Sequence, residues 1–481
     1  MTIMTEIQNL LKTLSHEKAI KIISGNHQLT GEDLSYQIEK RTDEFKKLHF
    51  PKSARICFSF RRNLNAMIDF LALQNCGWIT FVLNPAFQSD KLIRIIHTIQ
   101  PHGLFIDPTM RQLLQKRLCE HQQLNFSCFS LSHLDVVQFH QAPAILDKNE
   151  SMASVAILTS GSTGEPKAIL HSSNAIFKNA ALHARSMGIS PEDQVAMILP
   201  CHYSYGLVAN LLGTLVSGAT LVLYEGPNLP SPEWFSQFKI SVLNTTPTRL
   251  LDLSLHPLSG LRVLSCGGDQ TPLRLAKEFL NSYPNVNFYA TYGLTEAGPR
   301  VATLHVDHDE ISKNRGFPLG QFLPGIHAQL SVSDRLGPED QGELLLETPT
   351  AMLGYFNDPI QTSHAFCKQT QYLMTGDVIK RNHQGEMFFA SRKKRIISRG
   401  GEKIYPSEIE FYLLQVPGIT QAWVQARADD RLGEVPEAYL VSRLEIKERE
   451  VVQFLKRHLP TTQIPVAFFF FEKLPEFIHK K

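Results

Sequence analysis

Apolar positions in this chain fall into short runs of four to seven residues, separated by longer stretches in which they recur every three or four positions. Leu34, Ile38, Phe45 and Leu48 share one face of a helix that begins after Thr30. Residues 54–60 and 78–83 read as buried strands on either side of a helix over 65–74. Further strand-length runs lie at 155–158, 195–199, 220–224, 242–244 and 261–264, again with helical stretches between them. This alternation predicts parallel sheets joined by helical crossovers, an α/β fold. From residue 326 the texture changes to alternating residues punctuated by Gly-Glu, Gln-Gly and Asn-His-Gln-Gly, which predicts hairpins. The charged stretch Ser391-Arg392-Lys393-Lys394-Arg395 then marks a boundary. Beyond it lie a Gly-Gly turn, a helix over 406–414, a strand near 422–426, a helix over 447–458 and a Phe-rich run at 468–471 that reads as a buried strand. Together they form a small α+β unit of about ninety residues.

With 481 residues the chain exceeds what one core accommodates, so at least two folded units are expected. Lys plus Arg number 48 and Asp plus Glu 46, a balance that argues against a nucleic-acid or membrane-surface binder. Seven scattered cysteines, with no Cys-x-x-Cys pair, indicate reduced thiols in a cytoplasmic protein rather than a disulfide framework or zinc site. The N-terminal stretch lacks a secretory signal's apolar segment, and no run is long enough to span a membrane.

Candidate chemistry concentrates in a few motifs. Thr159-Ser160-Gly161-Ser162-Thr163-Gly164-Glu165-Pro166-Lys167 follows a strand and packs hydroxyls, glycines and one lysine into nine residues. Glycines let successive backbone N–H groups converge on phosphate oxygens, hydroxyls add donors and Lys167 adds charge. On composition alone a plain surface loop would usually win, but the full string is much more specific than its composition. The spacing is not G-x-x-x-x-G-K-[ST], which would need Gly where Pro166 sits, and that disfavours a P-loop phosphotransferase. Tyr292-Gly293-Leu294-Thr295-Glu296 offers a carboxylate suited to Mg²⁺ beside phosphates, although Thr followed by Glu also suits a helix N-cap. Thr375-Gly376-Asp377 is weak by itself, since Gly-Asp is common in turns.

Taken together, these strings resemble the adenylate-forming superfamily of acyl-CoA synthetases, luciferases and peptide-synthetase adenylation domains. The resemblance covers nearly the whole chain, from Leu83-Asn84-Pro85 to Arg431–Ala438. It implies a large N-terminal domain, residues 1–391, of mixed and parallel sheets flanked by helices with a distorted β-barrel part. A hinge at 392–395, pivoting on Lys394, would join it to a small mobile α+β domain at 396–481. By the same resemblance Thr159 to Gly164 hold the β- and γ-phosphates of ATP and Lys167 neutralises the leaving pyrophosphate. Ala168 stands where the family usually has Gly. Tyr292 stacks on adenine, Gly293 belongs to the same ATP-binding string, Thr295 meets the α-phosphate and Glu296 is the Mg²⁺ ligand. Asp377 binds the ribose hydroxyls, and Arg392, fifteen residues later, contacts ribose or phosphate. Gly400 and Gly401 would lie near the thiol tunnel. The family's catalytic C-terminal lysine falls by register on Lys481, with Lys480 where Gly is usual and Phe477 where Thr is usual.

The segment Pro200-Cys201-His202-Tyr203-Ser204-Tyr205-Gly206 matches a family acyl-pocket motif, with Tyr203 in place of a gating His. His202, one position early, also reads as an ordinary core histidine. Amino-acid-activating members carry Asp where this chain has the neutral Ser204, which argues against an amino-acid substrate. Tyr205, Gly267 and Gly268 would line the pocket, the glycines leaving room for an aryl or fatty acyl group. The expected activity is ATP-dependent adenylation of a carboxylic acid, followed by transfer to CoA or an acyl carrier protein, two acceptors that leave the same basic signature. The rival expectation is a degenerate nucleotide-binding module of the same fold without turnover.

Overall fold

The computed structural model describes residues 5–108, 110–111, 114, 125–131, 133–140, 148–159, 167–253, 258–313, 315–331 and 340–475. Its frame is two large sheets. The first has nine strands, in the order Gln321–Phe322, Ala302–Val306, Asn287–Tyr292, Val263–Gly267, Val242–Thr245, Gln194–Met197, Thr220–Leu223, Ile20–Ser24 and His27–Thr30. The six from Asn287–Tyr292 to Ile20–Ser24 run parallel. Runs such as VLSCG and QVAM are buried along almost their whole length, as strands covered on both faces require. The second sheet has eight strands, with Val155–Thr159, Ile79–Leu83, Arg55–Ser59 and Gly103–Ile106 parallel at its centre.

One core cluster joins the two sheets. It takes Ile56, Phe58 and Ile157 from the second and Ile22, Leu221 and Leu223 from the first. Between them lie the helices Leu64–Asn75 and Ser173–Ser186 and the wide-turned segment Tyr205–Leu212. Leu64–Asn75 is buried from Ala66 to Gln74, and the residues there are apolar apart from Asp69, which is paired with Arg41, and Gln74, which bonds Thr80. Asn63 caps it, its side chain accepting from Ala66 N–H at 2.8 Å.

The region expected to form a distorted barrel is a four-stranded antiparallel sheet, His327–Leu330, Asp340–Glu347, Leu373–Arg381 and Met387–Arg392. Its last hairpin explains a sequence spacing: Asp377 and Arg392 are direct cross-strand partners. Beyond Arg392 a short turn, Lys393–Arg395, leads to a sheet built on Ile419–Asp429 and Gly433–Ser442. That sheet has its own core, including Ile397, Ile404, Ile409, Val424, Leu440 and Leu455. The strand Phe468–Phe471 forms, but only Phe468 is buried: Phe469 and Phe470 are each 40% exposed. Among the described residues it pairs only with Gly433–Ser442 and so forms an edge, and four identical apolar residues carry no polar mark of which face turns outward.

Candidate active site

The chemistry-bearing side chains gather at the carboxyl ends of the parallel strands, where open α/β sheets bind ligands. Asn287–Tyr292 ends at Tyr292, and the chain turns sharply through Gly293 into the single turn Thr295–Ala297. A Cβ at Gly293 would lie 1.8 Å from Pro299 O, so only glycine lets the chain fold back on itself there. Glu296 is locked by its own backbone, Met352 N–H donating to its carbonyl at 2.7 Å.

Asp377 is the electrostatic centre. It is 1% exposed, accepts from the Tyr292 hydroxyl at 2.5 Å and lies 2.9 Å from Arg392 Nε. Burial pushes its carboxyl up to about 6; Arg392 and Tyr292 oppose that rise, and Glu296 and Glu343 add to it. Gly376, at φ +70, turns the chain so that Asp377 faces inward, and its N–H donates to buried Glu343 at 2.9 Å. Thr375 Oγ1 donates to Leu344 O and accepts from Asp377 N–H, at 2.9 and 3.1 Å.

Glu296 accepts from the Tyr355 hydroxyl at 3.0 Å, and Lys167 Nζ lies 5.1 Å from the centre of the Tyr355 ring while donating to Gln361. Lys167, Tyr355, Glu296, Tyr292, Asp377 and Arg392 are thus linked side by side. Tyr355 and Gln361 escaped the sequence reading; the available signals were Gly354 before an aromatic and an Asp358-Pro359 helix start. Ser160, Gly161, Ser162, Thr163 and Gly164 lie outside the described residues, but their flanks do not: Thr159 and Lys167 are cross-strand partners. The glycine-rich segment therefore joins two antiparallel strands, whereas a P-loop leads from strand to helix. Lys480 and Lys481 also lie outside the described residues.

On the acyl side, Ser204 Oγ lies 2.9 Å from Thr295 Oγ1. Tyr203 is 54% exposed, its ring 4.3 Å from that of His202. Burial pulls His202 down to about 4, so it is neutral at pH 7. Tyr205 is buried, and its hydroxyl is used internally, 2.8 Å from Ser265 Oγ. Gly268 is spacious, with Thr246 Cγ2 at 3.5 Å from a Cβ position and Tyr205 Cδ1 at 4.0 Å. Gly267 is not: a Cβ there would lie 2.1 Å from Thr291 Oγ1 and 2.9 Å from Arg300 Nη1. The room expected at Gly267 for an acyl group is occupied by these two side chains.

Lys394, exposed, sits between two anchored neighbours. Lys393 Nζ donates to Glu343 at 2.9 Å, and Arg395 donates to Glu410 at 2.6 Å with its guanidinium 3.6 Å over Trp423. Gly400 N–H bonds Leu432 O at 2.7 Å, which holds the Gly400-Gly401 turn to the C-terminal unit.

Glu296 fits a magnesium ion. It is a single carboxylate, hydrogen-bonded at Oε1, beside a lysine and a hydroxyl cluster, as suits an ion whose remaining ligands are phosphate and water oxygens.

Comparison with known proteins agrees with this geometry. Residues 13–356 match the model of the AMP-binding enzyme family, and residues 408–481 that of the AMP-binding enzyme C-terminal domain. A 2-succinylbenzoate–CoA ligase of Bacillus pumilus (strain SAFR-032) is 31% identical over 334 residues, 68% of this chain and 67% of that protein. A medium-chain fatty-acid–CoA ligase of Escherichia coli (strain K12) is 27% identical over 450 residues, 88% of this chain and 78% of that one. The o-succinylbenzoate CoA synthetase of Bacillus subtilis, solved with the acyl-adenylate intermediate OSB-AMP, superposes with a TM-score of 0.80. It is 22% identical, and the match covers 97% of this chain and 95% of that one. The chain belongs to the AMP-binding, adenylate-forming enzyme family.

Proposed function

We propose that this protein is an ATP-dependent acid–thiol ligase: it converts a carboxylic acid to an acyl-adenylate with release of pyrophosphate, then forms a thioester on CoA. The observation that carries this reading is the single cluster of Lys167, Glu296, Tyr292, Asp377 and Arg392. Names of relatives favour CoA over a carrier protein as acceptor and an aryl acid as substrate; a fatty acid is the second choice.

In the first half-reaction a carboxylate oxygen of the acid attacks the α-phosphorus, and the α–β bridging bond breaks. Two anions must approach, so catalysis is chiefly charge compensation and positioning. Lys167 faces the departing pyrophosphate and Thr295 the α-phosphate. Asp377 accepts from the ribose hydroxyls, with Arg392 beside it. Mg²⁺ held by Glu296 would shield the phosphate oxygens. In the second half-reaction the CoA thiol attacks the acyl carbon and AMP leaves, with Gly400 and Gly401 near the thiol's path after rotation about Lys394. Free thiols throughout the described residues suit action in the cytoplasm. Among those residues no helix is long and apolar enough to cross a membrane.

The test is acid-dependent exchange of labelled pyrophosphate into ATP over a carboxylic-acid panel, followed by thioester assays with CoA and with holo-carrier protein. Exchange with at least one acid is expected. Binding of ATP without exchange for any acid would establish the second reading, a degenerate nucleotide-binding module, which the unusual Phe477 and Lys480 favour. Within the ligase reading, Lys481→Ala should slow adenylation far more than Lys480→Ala; the reverse ranking would move the catalytic lysine to 480.

A further inference from the structure

We propose that Arg300 makes the acyl pocket selective for acids that carry a second anionic group. This rests on the ligase reading and names its substrate class. Arg300 is 4% exposed, and its guanidinium carbon lies 3.9 Å from the centre of the Tyr205 ring. Nη1 donates to Thr291 Oγ1 at 2.5 Å, while Nε is buried with no hydrogen-bond partner. No carboxylate pairs with it among the described residues.

Arg55, the other buried arginine among the described residues at 2% exposed, has a counter-ion: it lies 2.9 Å from Glu150. A buried guanidinium without a counter-ion is costly, and stacking on one tyrosine offsets only part of that cost. The groups around Arg300 do not compensate it. His183 is pulled down to about 3 by burial and by the arginine itself, so it is neutral, and Tyr205 and Thr291 are uncharged hydroxyls. Asn179 fixes the Arg300 backbone from both sides, accepting from its N–H at 2.9 Å and donating to its carbonyl at 2.8 Å. The guanidinium is therefore held in place with its charge unspent.

Its position links that charge to the substrate. Glycine at 267 leaves the space into which Nη1 projects. Arg300 lies over Tyr205 and beside Gly267, two residues the resemblance places in the acyl pocket, and Ser204, next to Tyr205 in the chain, meets the Thr295 hydroxyl. A distal carboxylate of an acid seated against Tyr205 would supply the missing counter-charge. A fork of N–H donors suits a planar carboxylate, and a site built around a polar partner discriminates strongly against ligands that lack it.

The experiment compares matched acids in pyrophosphate exchange: 4-phenyl-4-oxobutanoate against 2-succinylbenzoate, and hexanoate against adipate. Wild type should favour the diacid of at least one pair by roughly tenfold or more in kcat/KM. Arg300→Met should bring that ratio to near unity, and Arg300→Lys should restore part of it. A wild-type preference for the monoacid in both pairs, or a ratio near one, overturns the inference without any variant. So does a preference that survives in Arg300→Met. Exchange with no acid at all, while ATP still raises the melting temperature, overturns the ligase reading and this inference with it.

Discussion

Asp377 shows how one buried carboxylate makes the site sensitive to pH. Its folded value of about 6 lies above the ordinary 3.8. The native state therefore binds the proton more tightly than the unfolded one. Its contribution favours folding at low pH and is lost as pH rises from about 4 through about 6. In the proposed ligase the carboxylate form accepts from the ribose hydroxyls, so KM for ATP in the exchange reaction should fall as pH rises through about 6. Glu343→Gln removes a neighbouring negative charge and should move that midpoint down. Tyr292→Phe removes a donor to the carboxylate and should move it up. Each shift should be a few tenths to one unit, since such a hydrogen bond nets about 1 kcal/mol and one unit is about 1.4 kcal/mol. Shifts in the same direction for both variants would contradict this arrangement. Asp377, Arg392, Tyr292 and Glu296 were legible in the sequence because each sits in a short local string. Tyr355, Gln361, Glu343 and Arg300 were not. Their partners stand far away in the chain, as Lys167 does from Gln361, and only folding brings them together.

Short apolar runs marked seven of the ten strands that pair in parallel in the two large sheets, within three residues, because buried parallel strands are apolar throughout; Ile20–Ser24, Gly103–Ile106 and Asn287–Tyr292 were not marked. What the runs could not convey was order. The strand Ile20–Ser24 pairs with Thr220–Leu223, two hundred residues away, and no local pattern records that. The segment Tyr205–Leu212 is buried on every side and so has no helical period to read. Its first glycine shows what holds it. A Cβ at Gly206 would lie 2.1 Å from Pro200 O, a rigid backbone atom. Gly206→Ala should therefore cost roughly 2 kcal/mol or more and displace Tyr203 and Tyr205 with it. Gly376 offers a contrast: it has open space around it and φ +70, so Gly376→Ala should cost only about 1 kcal/mol, from backbone strain alone. Thermal unfolding of the two variants checks the ranking, and a Gly376→Ala protein less stable than Gly206→Ala would reverse it.

At the scale of the whole molecule, two chemistries share one nucleotide cleft, and rotation of the C-terminal unit is the means by which the family resemblance implies they alternate. The geometry around Lys394 suits a pivot one residue wide. On one side Lys393 is tied to Glu343, which also holds Gly376 and hence the turn that carries Asp377. On the other, Arg395 is tied to Glu410, Val424 O and the Trp423 ring, all within the C-terminal unit. Each body thus grips the side chain next to the pivot, and the exposed Lys394 between them is the middle residue of the short turn Lys393–Arg395. Proline at 394 would fix φ there and restrict Lys393 before it, so the swing would stop in whichever orientation the variant folds. Lys394→Pro should then separate the half-reactions. Either pyrophosphate exchange or thioester formation from preformed acyl-AMP should fall about tenfold or more relative to the other. Both would be measured on the same preparation, with the melting temperature as the control for folding. An equal loss in the two would place the pivot elsewhere or remove the need for one, whereas an unequal loss that Lys394→Gly does not reproduce would locate the rotation at this backbone position.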